Sequence, residues 1–220
     1  FALLIPLSYT PDVAFEISGA WFAAPSVIIM FYFLNIFGQF ISSSNRKKEE
    51  DSKLDVIKWG ILERLGFVLI YLTLNYFLDS SLILVFFLIT YGIFVYSSGA
   101  ILPAYFDLVS RVLYKHRAIF FAANLTTGSL AGFLVSRYVD FRIQEKGLVE
   151  GFSDGLLVVI AITSLSLIPL ILIKEPKGIA QKKKKLNVLI IKNKLNDWYE
   201  IYKNSKDVRA IALSNIVSVV

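Results

Sequence analysis

Glu63 and Arg64 are the residues whose placement most invites chemistry, because they interrupt an otherwise apolar stretch from Trp59 to Leu78. A charge at the centre of a bilayer costs about 2.5 to 3.5 kcal/mol on insertion scales, so such a pair needs partners. Adjacent side chains on a helix point roughly 100° apart. Each member is therefore expected to pair with a neighbouring helix or an inner loop, as a structural clamp or snorkelling pair. Uncharged polar residues are cheaper to bury, and several share a helical face: Asn35 with Gln39, Tyr91 with Ser98, and Asn124 with Thr127. Such groups can contact a polar solute or hydrogen-bond a neighbouring helix, the latter worth about 0.6 kcal/mol on average. Gly92 and Gly99 lie on one face, and Gly128 and Gly132 form a GxxxG step, so both pairs are candidate helix-packing positions with a hinge as the alternative. Pro25, Pro103 and Pro169 are candidate kinks, since proline lacks a backbone donor and crowds the preceding turn.

Catalytic chemistry finds few parts. His116, the one histidine, sits between Lys115 and Arg117, and the sequence has no cysteine. With no second histidine or carboxylate cluster beside it, neither a metal site nor a nucleophile relay is expected. No glycine-rich phosphate loop is present, so ATP-driven work would require another subunit. The reading is of a protein that is not an enzyme and that holds no cofactor.

The elements that must carry these residues follow from composition. Hydrophobic residues make up 56% of the chain, aromatic residues 15%, and the mean hydropathy is +0.63, which leaves too little polar surface to cover a water-soluble globule. A helix needs about 20 apolar residues to cross a hydrocarbon core. Ile17–Ile41, Leu82–Phe106, Ala118–Ser136 and Gly155–Ile173 are free of Asp, Glu, Lys and Arg, and each has that length. Trp59–Leu78 makes a fifth span despite Glu63 and Arg64. Phe1–Leu7 reads as the tail of an earlier helix and Ala210–Val220 as the start of another, which suggests a fragment of a longer chain. The class is all-α, a polytopic transmembrane bundle of about five full spans plus two partial ones.

Lysine and arginine then orient it, because positive loops stay on the cytoplasmic side. Segments 42–58, 107–117 and 174–209 hold nineteen of them, whereas Ser8–Glu16 and Asp79–Ser81 hold none and the third opposite loop only Arg137, Arg142 and Lys146. The first set is placed in the cytoplasm and the protein in the cell membrane. The net charge of +6 thus speaks for lipid headgroups near Lys182–Lys185, and no nucleic-acid partner is expected. Ile191, Leu195, Trp198 and Tyr202 recur at spacings of four and three, which predicts an amphipathic helix on the inner membrane surface or against the bundle.

This layout, with a very short outer loop at Asp79–Ser81 and a long basic segment before the last partial span, resembles the amino-terminal half of a major facilitator superfamily transporter and its central linker. SRVLYKHRAIFFAANLTTGSLAG, from Ser110 to Gly132, looks like that family's entry into its fifth helix. IPLILIKEPKG, from Ile168 to Gly178, looks like the end of its sixth. The resemblance implies that residues 1–173 run from the end of helix one through helix six. Residues 174–209 would then be the cytoplasmic linker, and 210–220 the start of a truncated helix seven. It also implies that the second, fourth and fifth helices border a central cavity, which makes Asn35, Gln39, Tyr91, Ser98, Asn124 and Thr127 the candidates for solute contact. Glu63, Arg64 and Arg117 become candidates for gate or structural ion pairs. The implied function is secondary transport of a small solute by alternating access, with the lipid bilayer and a second half of the same chain as partners. The alternative is a non-transporting membrane scaffold or assembly subunit that keeps the same bundle.

Overall fold

The computed structural model of the protein describes residues 4–45, 52–78, 80–113, 115–173 and 203. The chain divides into two units, Phe1–Ala180 and Gln181–Val220. Of the second, Lys203 alone is described, as a solvent-exposed helical residue. The expected linker of 174–209, apart from Lys203, and the expected helix start at 210–220 lie outside the described residues.

The first unit contains α1 (Leu4–Ser18), α2 (Ala23–Asn45), α3 (Ser52–Tyr76), α4 (Ile83–Val112), α5 (Arg117–Lys146), α6 (Leu148–Leu165) and α7 (Leu167–Leu172). Every described element is helical. Ala23–Ser44, Ile83–Val112, Ala118–Lys146 and Leu148–Leu172 are long and apolar enough to cross a membrane, which marks the chain as an integral membrane protein. α3 is as long but carries Lys53, Asp55, Lys58, Glu63 and Arg64, and it falls outside that apolar group.

Several boundaries differ from those read in the sequence. Ser8–Glu16 is not a loop: α1 continues through it to Ser18. The polar residues that suggested a loop are divided between faces, Asp12 and Glu16 being exposed while Thr10, Val13 and Ala14 are buried. The chain turns at Gly19, whose φ of +61° suits a residue without a Cβ. Its N–H donates to the Phe15 carbonyl at 2.7 Å, and α2 therefore begins at Ala23 and not at Ile17. The charged segment after Ser136 is no loop either, because α5 runs on to Lys146 before Gly147, at φ +92°, reverses it into α6. Of the three prolines, Pro25 lies in the first turn of α2, Pro103 is carried inside α4, and Pro169 lies just past the break between α6 and α7.

α4 is the axis of the unit. Over half of its most apolar window is buried (56%), against 11% for the windows of α2 and α5. α2 packs parallel to it, with Gly38 at the Tyr96 carbonyl and Gly99 at the Asn35 carbonyl, where any side chain would collide with backbone. α3 packs antiparallel, Gly66 lying against the Phe94 backbone and the Phe67 ring tilted against that of Phe94 with centroids 4.3 Å apart. α5 and α6 form a second antiparallel pair, closed by Gly151 against Ile143 and Gly155 against Val139. α1 touches α2, α4, α5 and α6, and α6 also lies along α3, so the two pairs share one core of Val13, Val27, Phe67, Phe87, Phe94, Val139 and Leu156.

Candidate functional site

α3 starts at Ser52, seven residues before the expected Trp59, so Glu63 stands about three turns inside the helix, roughly 16 Å along its axis. Glu63 is 4% exposed. Its carboxylate lies beside the Ser98 hydroxyl of α4. Arg64 turns the other way, toward α6. Its Nε donates to the Thr163 carbonyl at 2.8 Å, one terminal nitrogen to the Gly60 carbonyl at 2.6 Å, and the other to Ser166 Oγ at 2.9 Å. The two charges nonetheless also meet, at 3.4 Å, because their flexible arms bend back across the angle that separates their Cβ atoms. The base thereby ties α3 to the end of α6, while the buried acid beside it faces α4.

The uncharged candidates fall in three settings. Asn35 and Gln39 are half-buried on α2 and bonded to each other, Gln39 Nε2 donating to Asn35 Oδ1 at 2.7 Å. Tyr91 is 2% exposed and packed among aromatic rings, with Phe87 6.2 Å and Phe94 6.0 Å away between centroids. It borders a gap of about 10 Å³, room for one water at most, that Thr10, Phe67, Ile70, Phe152 and Leu156 also line. Asn124 and Thr127 stand on an exposed stretch of α5. Thr127 Oγ1 donates to the Ala123 carbonyl at 2.8 Å, and Asn124 Nδ2 reaches the Tyr105 hydroxyl of α4 at 3.5 Å.

Tyr105 is the residue that sequence reading missed, although a signal for it existed. Tyr91, Ser98 and Tyr105 follow one another at steps of seven, so they form a nearly straight stripe on α4. The stripe starts in the aromatic core, meets Glu63 at Ser98, and ends beside Asn124 at Tyr105. Gly92 and Gly99, one step further round, form the parallel stripe that seats α2. Gly99 allows backbone contact, whereas Gly92 faces the tips of Met30 and Leu34 at 3.1 and 3.3 Å. On α5, Gly128 is half-buried and Gly132 buried. Arg117 is the first residue of α5, and its side chain lies outside the described residues. His116 is exposed in the turn before it.

A second polar cluster was also missed, because the segment containing it read as a loop. Asp154 at the start of α6 accepts from both Arg142 Nε at 2.8 Å and Lys146 Nζ at 3.0 Å, and Arg142 also pairs with Glu145. Tyr9 of α1 donates to Asp140 close by. At the opposite end of the bundle, Asp107 of α4 accepts from Ser52 Oγ at 2.5 Å and pairs with Arg111 at 2.6 Å. Among the described residues no group of three or more His, Cys, Asp or Glu side chains is gathered as a metal site would require. Neither a family model, nor a curated protein, nor a solved structure matches the chain.

Proposed function

We propose that the protein is a secondary transporter that moves a small solute across a membrane by alternating access, with this bundle as one of two halves arranged as in the major facilitator superfamily. The observation that carries this reading is the polar stripe on α4. It leaves the packed core at Tyr91, reaches a buried carboxylate at Ser98, and ends where Tyr105 faces Asn124 on a stretch of α5 that is mostly exposed. An amide offers two donors and two acceptors, and one long hydrogen bond leaves most of that capacity open. In hydrocarbon such a group is costly, whereas beside an aqueous path or a polar solute it is useful. Asn35 and Gln39 extend the same uncharged polar character to α2.

In this reading α3 is a fifth span, its charges satisfied by the bundle, and α1 is the end of helix one. The basic segments 42–58, 107–117 and 174–209 face the cytoplasm, held there by their lysines and arginines. The two halves rock about a central cavity, as inverted-repeat transporters do. The test is uptake into proteoliposomes that contain the full-length protein, screened against a broad panel of metabolites. Uptake of at least one solute is expected, reduced about tenfold or more by Asn124→Ala and Tyr105→Phe with the folded fraction unchanged. Absence of uptake, together with absence of ligand-dependent stabilisation across the panel, overturns the reading.

A second reading, a scaffold or assembly subunit that transports nothing, is favoured by one specific feature: Tyr91 is wedged between Phe87 and Phe94, where a solute path would otherwise run. It expects the folded bundle to persist with no flux of any solute.

A further inference from the structure

The helix that follows the α5–α6 turn is broken at Ser166, and α3 donates to backbone carbonyls on both sides of the break. Pro169 has no N–H, so the Leu165 carbonyl loses its helical donor and the preceding turn is crowded. Just before the break, the Thr163 carbonyl accepts from Arg64 Nε at 2.8 Å and from Ser166 Oγ at 2.7 Å, while Arg64 also donates to Ser166 Oγ at 2.9 Å. At the far end of α7 the last carbonyls of a helix have no donors of their own. There Lys53 Nζ donates to the carbonyls of Ile171 at 2.5 Å and Ile173 at 2.8 Å.

Lys53 and Arg64 lie eleven residues apart on α3, three helical turns, and so present their charges along one face. Gly60 lies between them on that face. A Cβ at Gly60 would approach the Arg64 guanidinium at 3.0 Å and Leu167 Cδ2 at 3.5 Å, so its absence leaves room for the guanidinium to lie back over its own helix and for α7 to seat. Two cations thus meet two sets of helix-terminal carbonyls, where positive charge is favoured. A planar guanidinium can serve a carbonyl and a hydroxyl at once, which an ammonium at the same place could not do with fixed geometry.

We infer that Arg64 and Lys53 form a two-point clamp that holds the broken end of α6 and the whole of α7 against α3. Arg64 bridges the proline break and Lys53 pins the end beyond it. The clamp stands independently of any transport activity. Whatever shifts α3 along its axis carries α7 with it, and loss of either cation frees a short helix that Pro169 has already uncoupled from α6.

The experiment uses the full-length protein in detergent micelles, spin-labelled at Leu72→Cys on α3 and Leu172→Cys on α7, both exposed positions in a cysteine-free sequence. Glu63→Gln is the reference, because removing Arg64 alone would leave the buried carboxylate unpaired and confuse the outcome. Adding Arg64→Met to that reference is expected to broaden the label-to-label distance distribution and to lower the melting temperature by about 4 °C or more. Adding Pro169→Ala as well restores the helical donor, and should recover more than half of both changes. Lys53→Met alone should broaden the distribution with a smaller melting shift. An unchanged distribution in the Arg64→Met protein overturns the clamp, as does a melting loss that Pro169→Ala leaves undiminished. If the double variant does not fold, Arg64→Lys in the native background decides. It keeps the charge beside Glu63 but not the fork, so broadening supports the clamp and a native distribution overturns it.

Discussion

Gly99 and Gly92 differ by two turns on α4 and by the hardness of what they face. A methyl group at Gly99 would collide with the Asn35 carbonyl, backbone that cannot swing aside, whereas one at Gly92 would meet the flexible ends of Met30 and Leu34. Overpacking a tight seam costs about 1 to 3 kcal/mol. Gly99→Ala is therefore expected to destabilise the purified protein by about that amount and Gly92→Ala by well under half of it, as measured by thermal unfolding in one detergent. Equal losses would show that the α2–α4 seam is not set by backbone contact at Gly99. Ser98 poses a different problem, because its hydroxyl lies beside a carboxylate with almost no access to solvent, to which it is expected to donate. Deleting a hydrogen bond to a buried charge costs about 1 to 3 kcal/mol. Ser98→Ala should lose that much stability, and Glu63→Gln combined with Ser98→Ala should lose less than the sum of the two, since the neutral amide has less need of the hydroxyl. That Tyr91 and Ser98 share a face of α4, and Asn124 and Thr127 a face of α5, was legible as spacing in one helix. The contact of Asn124 with Tyr105 was not, because it depends on how α4 and α5 lie together, which no local period encodes.

Helix ends were the least legible elements, and the reason is that helices here do not stop where their apolar residues stop. α5 and α6 carry charged residues at the turn they share, and those residues bond to one another across it instead of opening a loop. Asp154 accepts from Arg142 and Lys146, so a single carboxylate joins the last turns of α5 to the first of α6. The group is only partly buried, with side-chain exposures of 20% for Arg142 and 25% for Asp154, so solvent screens it and its contribution is modest. Asp154→Asn is expected to reduce stability by about 1 kcal/mol at low ionic strength, and the loss should fade in 1 M salt as the Debye length falls to about 3 Å. A loss that persists undiminished in high salt would mean that Asp154 acts through packing. α1 was misread for a related reason. Pro11, Asp12 and Glu16 suggested a loop, yet a helix with one face in the core tolerates charge on the other, and only Gly19 carried a true stop signal. α3 was extended by the same logic, its Lys53 lying within the helix because the Ile171 carbonyl of α7 receives it.

The apolar helices themselves were plain in the sequence, since length and hydropathy are properties of a segment and need no knowledge of its neighbours. Their alternation follows from the short turns. α1, α3 and α5 finish at one end of the bundle, at Gly19, Phe77 and Gly147, while α2, α4 and α7 finish at the other, at Asn45, Leu113 and Ile173. The first end exposes Trp21, Phe22, Tyr76 and Phe77, amphipathic and aromatic residues of the kind that gather at a membrane–water interface. The second end exposes Lys115 and Lys58 and leads into the basic segments. If positive charge is retained inside, the aromatic end faces out. Ser81 and Lys115 are both exposed, stand at opposite ends, and lie in a sequence with no cysteine, so single-cysteine variants can report the two faces separately. Ser81→Cys is expected to react with a membrane-impermeant maleimide on intact cells, and Lys115→Cys only after the membrane is opened. Reaction of both from outside would mean that the apolar helices do not span, and the reverse pattern would mean that the lysines had been carried across. Either result removes the basis for a cytoplasmic linker, because the same short turns that put Ser81 at one end of the bundle put Ile173, where α7 finishes, at the other.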